Sequence, residues 1–106
     1  MKIISWNVNG VRAVVKKEFF KSLDELEWDV LCLQETKAQD EEVAAALSPF
    51  ENYHCVFNSA MKKGYSGTTV ISKIPVESYS LDIGIPEFDQ EGRVICMGYP
   101  SFYLVN

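Results

Sequence analysis

The spacing of apolar residues changes twice along the chain. Ile3 to Val8 is an apolar run with β-branched and aromatic members, which predicts a strand. Asn9-Gly10 breaks it. From there Val11, Val15, Phe19, Leu23 and Leu26 recur at intervals of four, four, four and three, one face of an amphipathic helix. Arg12, Lys16, Lys17 and Lys21 fall largely off that face, so this helix is expected to show its bases to solvent. Val30 to Gln34 is continuously apolar, as in a strand buried on both faces. A second helix is predicted over residues 39–47. Asp40, Glu41 and Glu42 would favour its positive end, and Pro49 would stop it.

Beyond Phe50 the helical period disappears. Residues 53–58, 68–72, 76–81, 94–99 and 102–105 all read as strands, separated by Gly, Pro, Asp and Lys. The order is therefore β-α-β-α followed by a run of strands, an α/β fold with helices mainly in the first half. The first two strands are expected to be parallel and joined by a right-handed crossover. The later ones should pair antiparallel. The chain stops inside or just after a strand at Leu104-Val105-Asn106, which would leave a sheet edge to be covered. This suggests the N-terminal portion of a larger domain, residues 1–106 being an incomplete unit.

Composition narrows the class. At 47% hydrophobic and 24% charged, the 106 residues match a globular domain, which excludes disordered and collagen-like chains. No apolar run reaches the length of a membrane span, and no signal peptide is evident, so a cytoplasmic location is the default expectation. Cys32, Cys55 and Cys96 are odd in number and lie in apolar stretches, which reads as buried thiols in a reducing compartment. The net charge of −5 argues against nucleic acid, but it is an average. Residues 1–22 hold five bases and one acid, whereas residues 23–60 hold one base and nine acids. A basic first segment beside an acidic middle is the feature that bears on partners.

Candidate chemistry follows from the strand ends. In open α/β sheets, ligands bind beyond the carboxyl ends of parallel strands. If the first two strands are neighbours, Asn7, Asn9 and Glu35 converge on one edge. One carboxylate and two carboxamides are hard oxygen ligands that suit Mg²⁺, with Mn²⁺ as an alternative. Read singly, Asn9-Gly10 could be no more than a turn and Glu35 a solvated acid. Gly10 precedes a helix carrying Arg12, Lys16 and Lys17, which offers phosphate contacts. Lys62-Lys63-Gly64-Tyr65-Ser66-Gly67 is a second phosphate candidate, with bases, flexible glycines and an aromatic ring. His54, the only histidine, sits mid-strand without a nucleophile nearby and reads as structural.

Together these motifs resemble the exonuclease III / apurinic-apyrimidinic (AP) endonuclease family, within the endonuclease/exonuclease/phosphatase superfamily. The resemblance runs through Ile4-Ser5-Trp6-Asn7-Val8-Asn9-Gly10-Val11-Arg12-Ala13, Leu33-Gln34-Glu35-Thr36-Lys37, Lys63-Gly64-Tyr65-Ser66-Gly67 and Asp89-Gln90-Glu91-Gly92-Arg93. It implies the N-terminal part of a four-layer, DNase I-like α/β sandwich. It also implies Mg²⁺-dependent cleavage of double-stranded DNA 5′ to abasic sites, or removal of nucleotides from 3′ ends. Glu35 and Asn7 would then be the catalytic residues that hold the metal. Asn9, Arg12, Ala13, Lys17, Lys37, Gly64 and Tyr65 would lie along the DNA. The later motifs of the family, an Asp-x-Asn pair and an Asp-His pair among them, have no counterpart in these residues, so the isolated chain is expected to be nearly inactive. The alternative is a non-catalytic module that assembles through its exposed sheet, by self-association or by pairing with a missing C-terminal half. A lipid or inositol phosphatase of the same superfamily fits the Gly-Tyr-Ser-Gly and Glu-Gly-Arg elements less well.

Overall fold

Strand β1 (Ile3–Asn7) lies at the edge of a four-stranded sheet and pairs in parallel with β2 (Val30–Gln34). Strands β3 (His54–Asn58) and β4 (Thr68–Ser72) complete it, both pairings being antiparallel, in the order β1-β2-β4-β3. The computed structural model describes residues 1–106 throughout. A second, three-stranded antiparallel sheet contains β5 (Ser78–Leu81), β6 (Ile95–Gly98) and β7 (Tyr103–Val105), with β6 in the middle.

The crossover between β1 and β2 is broken. The period of four predicts one helix from Val11 to Leu26, but the chain forms α1 (Val11–Val14) and α2 (Phe19–Leu26). Between them Lys16 N–H donates to Ala13 O at 3.2 Å and Lys17 N–H to Val14 O at 3.1 Å. These three-residue bonds tighten the turn beside two adjacent β-branched valines, which pack poorly into a helix. The interruption leaves Val11, Phe19 and Leu23 all buried, so the apolar face is kept. Leu26 departs from the pattern and is exposed, because α2 ends there and Glu27 takes a left-handed φ of 52°. That turn drives Trp28 into the core instead.

Helix α3 (Asp40–Ala46) falls where its charge pattern predicts. Gln39 and Glu42 form a reciprocal cap, with Gln39 N–H donating to Glu42 Oε1 at 3.1 Å. Glu42→Ala removes that cap and should cost about 1 kcal/mol in urea denaturation. A wild-type midpoint would contradict the cap assignment. Pro49 opens a short 3₁₀ turn, Ser48–Phe50, that delivers Phe50 to the core.

The first sheet separates two cores. On one face Leu31, Leu33 and Ile71 pack against the helices through Val11, Phe19, Leu23 and Val43. Aromatic contacts line this core: Trp6 meets Phe19 at 5.0 Å between centroids, Phe20 meets Phe50 at 5.2 Å, and Trp28 meets Phe50 at 5.3 Å. On the other face Val30, Cys32 and Val70 pack against Ile95, Met97 and Tyr99 of the second sheet. This is why β4 is buried throughout and β2 is buried up to Gln34, and why β2 reads as a continuous apolar run. Burial also pushes the Cys32 thiol up to about 11, as expected for an inert core cysteine.

The layers are helix, sheet, sheet. The outer face of the second sheet carries Tyr103 and Val105, which are exposed. No helix is long and apolar enough to cross a membrane. All three cysteines are free, with Cys32 buried and Cys55 and Cys96 half-buried.

Candidate active site

Four chain segments meet at one end of the two sheets. The parallel pairing places Asn7 beside Gln34, so the turns after β1 and β2 are neighbours. The antiparallel register places Thr68, at the start of β4, beside Gln34 and also beside Asn58, at the end of β3. The second sheet joins at the same end. Asn58 Nδ2 donates to Val94 O at 3.0 Å and Thr68 Oγ1 donates to Gly92 O at 3.0 Å, so the segment before β6 arrives over the ends of β3 and β4.

The two turns are strained and clamped together. Asn9, Glu35 and Lys37 all take positive φ, at 48°, 55° and 53°. Each costs a non-glycine residue of order 1 kcal/mol or more. Backbone bonds hold them there. Gly10 N–H donates to Glu35 O at 2.8 Å, Val11 N–H to Thr36 O at 2.9 Å, and Lys37 N–H to Ser66 O at 2.8 Å. Gly67 lies against this turn so closely that a Cβ would strike the Thr36 hydroxyl. The Lys-Lys-Gly-Tyr loop is thereby tied directly to the Glu35 turn.

Side chains complete the arrangement. Asn7 Nδ2 donates to Glu35 Oε2, while Asn7 Oδ1 accepts the Asn9 N–H at 3.1 Å. In this arrangement Asn7 orients the carboxylate, with its oxygen engaged by the turn. Lys37 Nζ donates to Asn9 Oδ1 at 2.6 Å and lies 3.6 Å from Glu35 Oε1. The Asn7 hydrogen bond, with the positive charges of Lys37 and Arg93, holds the Glu35 carboxyl below the usual range. Glu35 is therefore ionised at neutral and mildly acidic pH.

Of the predicted DNA-contacting residues, Arg12, Ala13, Lys37, Gly64 and Tyr65 line two adjoining clefts, and Asn9 and Lys17 line neither. Gly10, Arg12, Ala13, Lys16, Lys37 and Gly64 line a groove of about 520 Å³. It contains no acidic side chain. Arg12 is fixed in it by Nη1 donating to Glu42 Oε2 at 2.8 Å and Nη2 donating to Lys37 O at 3.0 Å. Lys16, rather than Lys17, lines this groove, because the break between α1 and α2 shifts the helical phase. Lys17 is exposed outside both clefts. Glu35, Lys37, Tyr65, Ser66 and Arg93 line a second cleft of about 260 Å³. Lys37 borders both.

Arg93 belongs to this site although strand-end reasoning does not reach it. It lies well along the chain from Glu35 and arrives only because the two sheets pack together. The available signal was the Glu91-Gly92-Arg93 element, one of the stretches that carry the family resemblance. Gly92 has φ 59° and packs on the backbone of Asn58 to Ala60, which leaves no room for a side chain. His54 lies at the other end of β3 from Asn58, about 13 Å away along the strand, and is exposed. It takes no part in the site.

The donor set fits one hard divalent cation. No three His, Cys, Asp or Glu side chains cluster anywhere in the chain. Mg²⁺, however, commonly uses one or two carboxylates, with water and substrate phosphate completing its shell. A single ionised, half-exposed glutamate beside a basic groove matches that mode.

Comparison with known proteins agrees with this geometry. The Endonuclease/Exonuclease/phosphatase family matches residues 4–106. An exodeoxyribonuclease of Bacillus subtilis is 50% identical over 107 residues, covering all of this chain and 41% of that protein. The solved structure of an AP endonuclease from Archaeoglobus fulgidus superposes with TM-score 0.81 at 28% identity, covering the whole chain and 40% of that structure. The 3′ phosphatase NExo from Neisseria, bound to a product DNA hairpin, gives the same score and coverage at 26% identity. The chain spans about two fifths of the length of these relatives. With their sheet architecture and its strand-end glutamate turn beside a basic groove, the chain belongs to the endonuclease/exonuclease/phosphatase family, where its similarities are to exodeoxyribonucleases and AP endonucleases.

Proposed function

We propose that this chain supplies the metal-binding carboxylate and part of the DNA track of a Mg²⁺-dependent DNA-repair phosphodiesterase. Its substrate would be duplex DNA, cut 5′ to an abasic site or trimmed from a 3′ end. The observation that carries this reading is the placement of Glu35. It is ionised, oriented by Asn7, and stands where the acid-free groove of Arg12, Lys16 and Lys37 meets the second cleft. Glu35 would hold the cation, which when bound supplies charge neutralisation at the phosphate and a more acidic water. Arg12 and Lys16, with the backbone at Gly10, Ala13 and Gly64, would carry the DNA backbone past it.

The test is incision of a duplex with one abasic site by the full-length protein, with Mg²⁺ and with EDTA. Cleavage 5′ to the lesion, abolished by EDTA, is expected. Absence of cleavage at any lesion or 3′ end would overturn the reading. The 106 residues alone should show little activity, since this site offers one strand-end carboxylate and no histidine. Arg12→Gln should weaken duplex binding uniformly across sequences and lower the slope of log K against log salt by about 0.9. An unchanged slope would remove Arg12 from the track.

A second reading is favoured by one observation. Tyr103 and Val105 stand exposed on the outer face of β7, which lies at a sheet edge. We propose that this face is covered by further protein, a second copy or a C-terminal portion. Light scattering that shows a stable monomer of the 106 residues would rule out obligatory self-association.

A further inference from the structure

Tyr65, Glu91 and Arg93 form a closed ring of hydrogen bonds beside Glu35. Arg93 Nε donates to Glu91 Oε2 at 2.9 Å, and Arg93 Nη2 donates to the Tyr65 hydroxyl at 2.9 Å. The Tyr65 hydroxyl in turn donates to Glu91 Oε1 at 2.8 Å. Each polar group of Tyr65 and Glu91 is thereby used inside the ring. Arg93 alone keeps an unused donor, Nη1, and its side chain is 54% exposed. A surface ion pair this exposed adds little stability, so stability is a poor explanation for it.

Position gives the better explanation. The ring sits on Gly92, whose carbonyl is fixed by Thr68, and on Tyr65, whose loop is clamped to the Glu35 turn. The Arg93 guanidinium therefore has a fixed place across the 260 Å³ cleft from Glu35. A planar cation with free donors, opposite a metal-binding carboxylate, is built for a phosphate oxygen.

We propose that Arg93 is a phosphate-binding side chain of this site, contacting a DNA phosphate adjacent to the one at Glu35, and that Tyr65 and Glu91 are positioning residues that hold its guanidinium. This rests on the nuclease reading above, because it takes DNA as the ligand. Tyr65 then acts chiefly by locking Arg93, in addition to lining the track. Glu91 serves to hold both groups, one oxygen accepting from Arg93 and the other from Tyr65.

The test is fluorescence anisotropy of a labelled DNA duplex with the full-length protein, in EDTA, across about 50–200 mM salt. Arg93→Gln is expected to weaken binding about ten-fold and to lower the salt slope by about 0.9. Tyr65→Phe breaks two bonds of the ring without changing charge, so affinity should fall about three-fold at a wild-type slope. Arg93→Lys keeps the charge but cannot reach both partners. It should show the wild-type slope with weakened binding, and it carries the test if Arg93→Gln fails to fold. A wild-type slope for folded Arg93→Gln, or wild-type affinity for Arg93→Lys, would overturn the proposal. Arg12→Gln separates the two levels. If it lowers the slope while Arg93→Gln does not, the inference fails and the nuclease reading stands. If the wild-type protein itself does not bind duplex DNA, both fail.

Discussion

Glu35→Ala in the full-length protein should lower Mg²⁺-supported cleavage of an abasic duplex about a thousand-fold, with DNA binding in EDTA nearly unchanged. The expectation follows from the inventory of carboxylates at the site. Glu35 stands at the ends of the parallel strands, where the two clefts meet, whereas Glu91 is committed to holding Tyr65 and Arg93. Asn7→Ala should cost less, about ten- to a hundred-fold, since it removes the group that orients the ligand and not the ligand itself. The pH dependence gives an independent check. Glu35 is held below the ordinary glutamate value of about 4.3, chiefly by the Asn7 hydrogen bond. Activity limited by its ionisation is therefore fully present above that value and lost only as pH falls through the lower, folded one. Asn7→Ala removes the main cause of the lowering, so this acid limb should move to higher pH. Near-normal turnover of Glu35→Ala, measured at saturating DNA with circular dichroism confirming the fold, would sink the ligand assignment.

Gly92→Ala is expected to be the most destabilising of the single-atom changes proposed for this chain. A Cβ there would lie 2.5 Å from Asn58 O, 2.6 Å from Ser59 C and 2.7 Å from Ala60 N, all backbone atoms that cannot swing aside. The residue also takes φ 59°, which penalises any side chain. Strain and overpacking together should cost about 3 kcal/mol. Gly64→Ala is the matched control. It too has positive φ, at 71°, but a Cβ there meets nothing within 4 Å. It should cost only about 1 kcal/mol, the conformational part. Urea denaturation of the full-length variants compares the two. Equal losses would show that the close approach of residues 91–93 to the end of β3 is not what holds the second sheet in place.

These predictions draw unequally on sequence and structure. The alternation of element types is legible in the apolar spacing, because burial on two faces, one face or none leaves different periods. The α/β class, the buried β2 and the capped α3 follow from that physics. So does the convergence of Asn7, Asn9 and Glu35, once the first two strands are parallel neighbours. The single long helix from Val11 to Leu26 does not survive. A period of four records only which side chains face the core, and the tightened turn at Val15 to Glu18 preserves that facing while breaking the helix.

By itself, then, the sequence determined the strands, the capped α3, the strand-end glutamate and the basic segment, since these are local properties of neighbouring residues, but not the break between α1 and α2. Tertiary structure alone decided that β4 inserts between β2 and β3, and that the later strands form a separate sheet. It also decided that Arg93 meets Tyr65 and faces Glu35. Those contacts join residues far apart in the chain, through hydrogen bonds and close backbone packing. Nothing in a local period of two or of three to four residues can encode them.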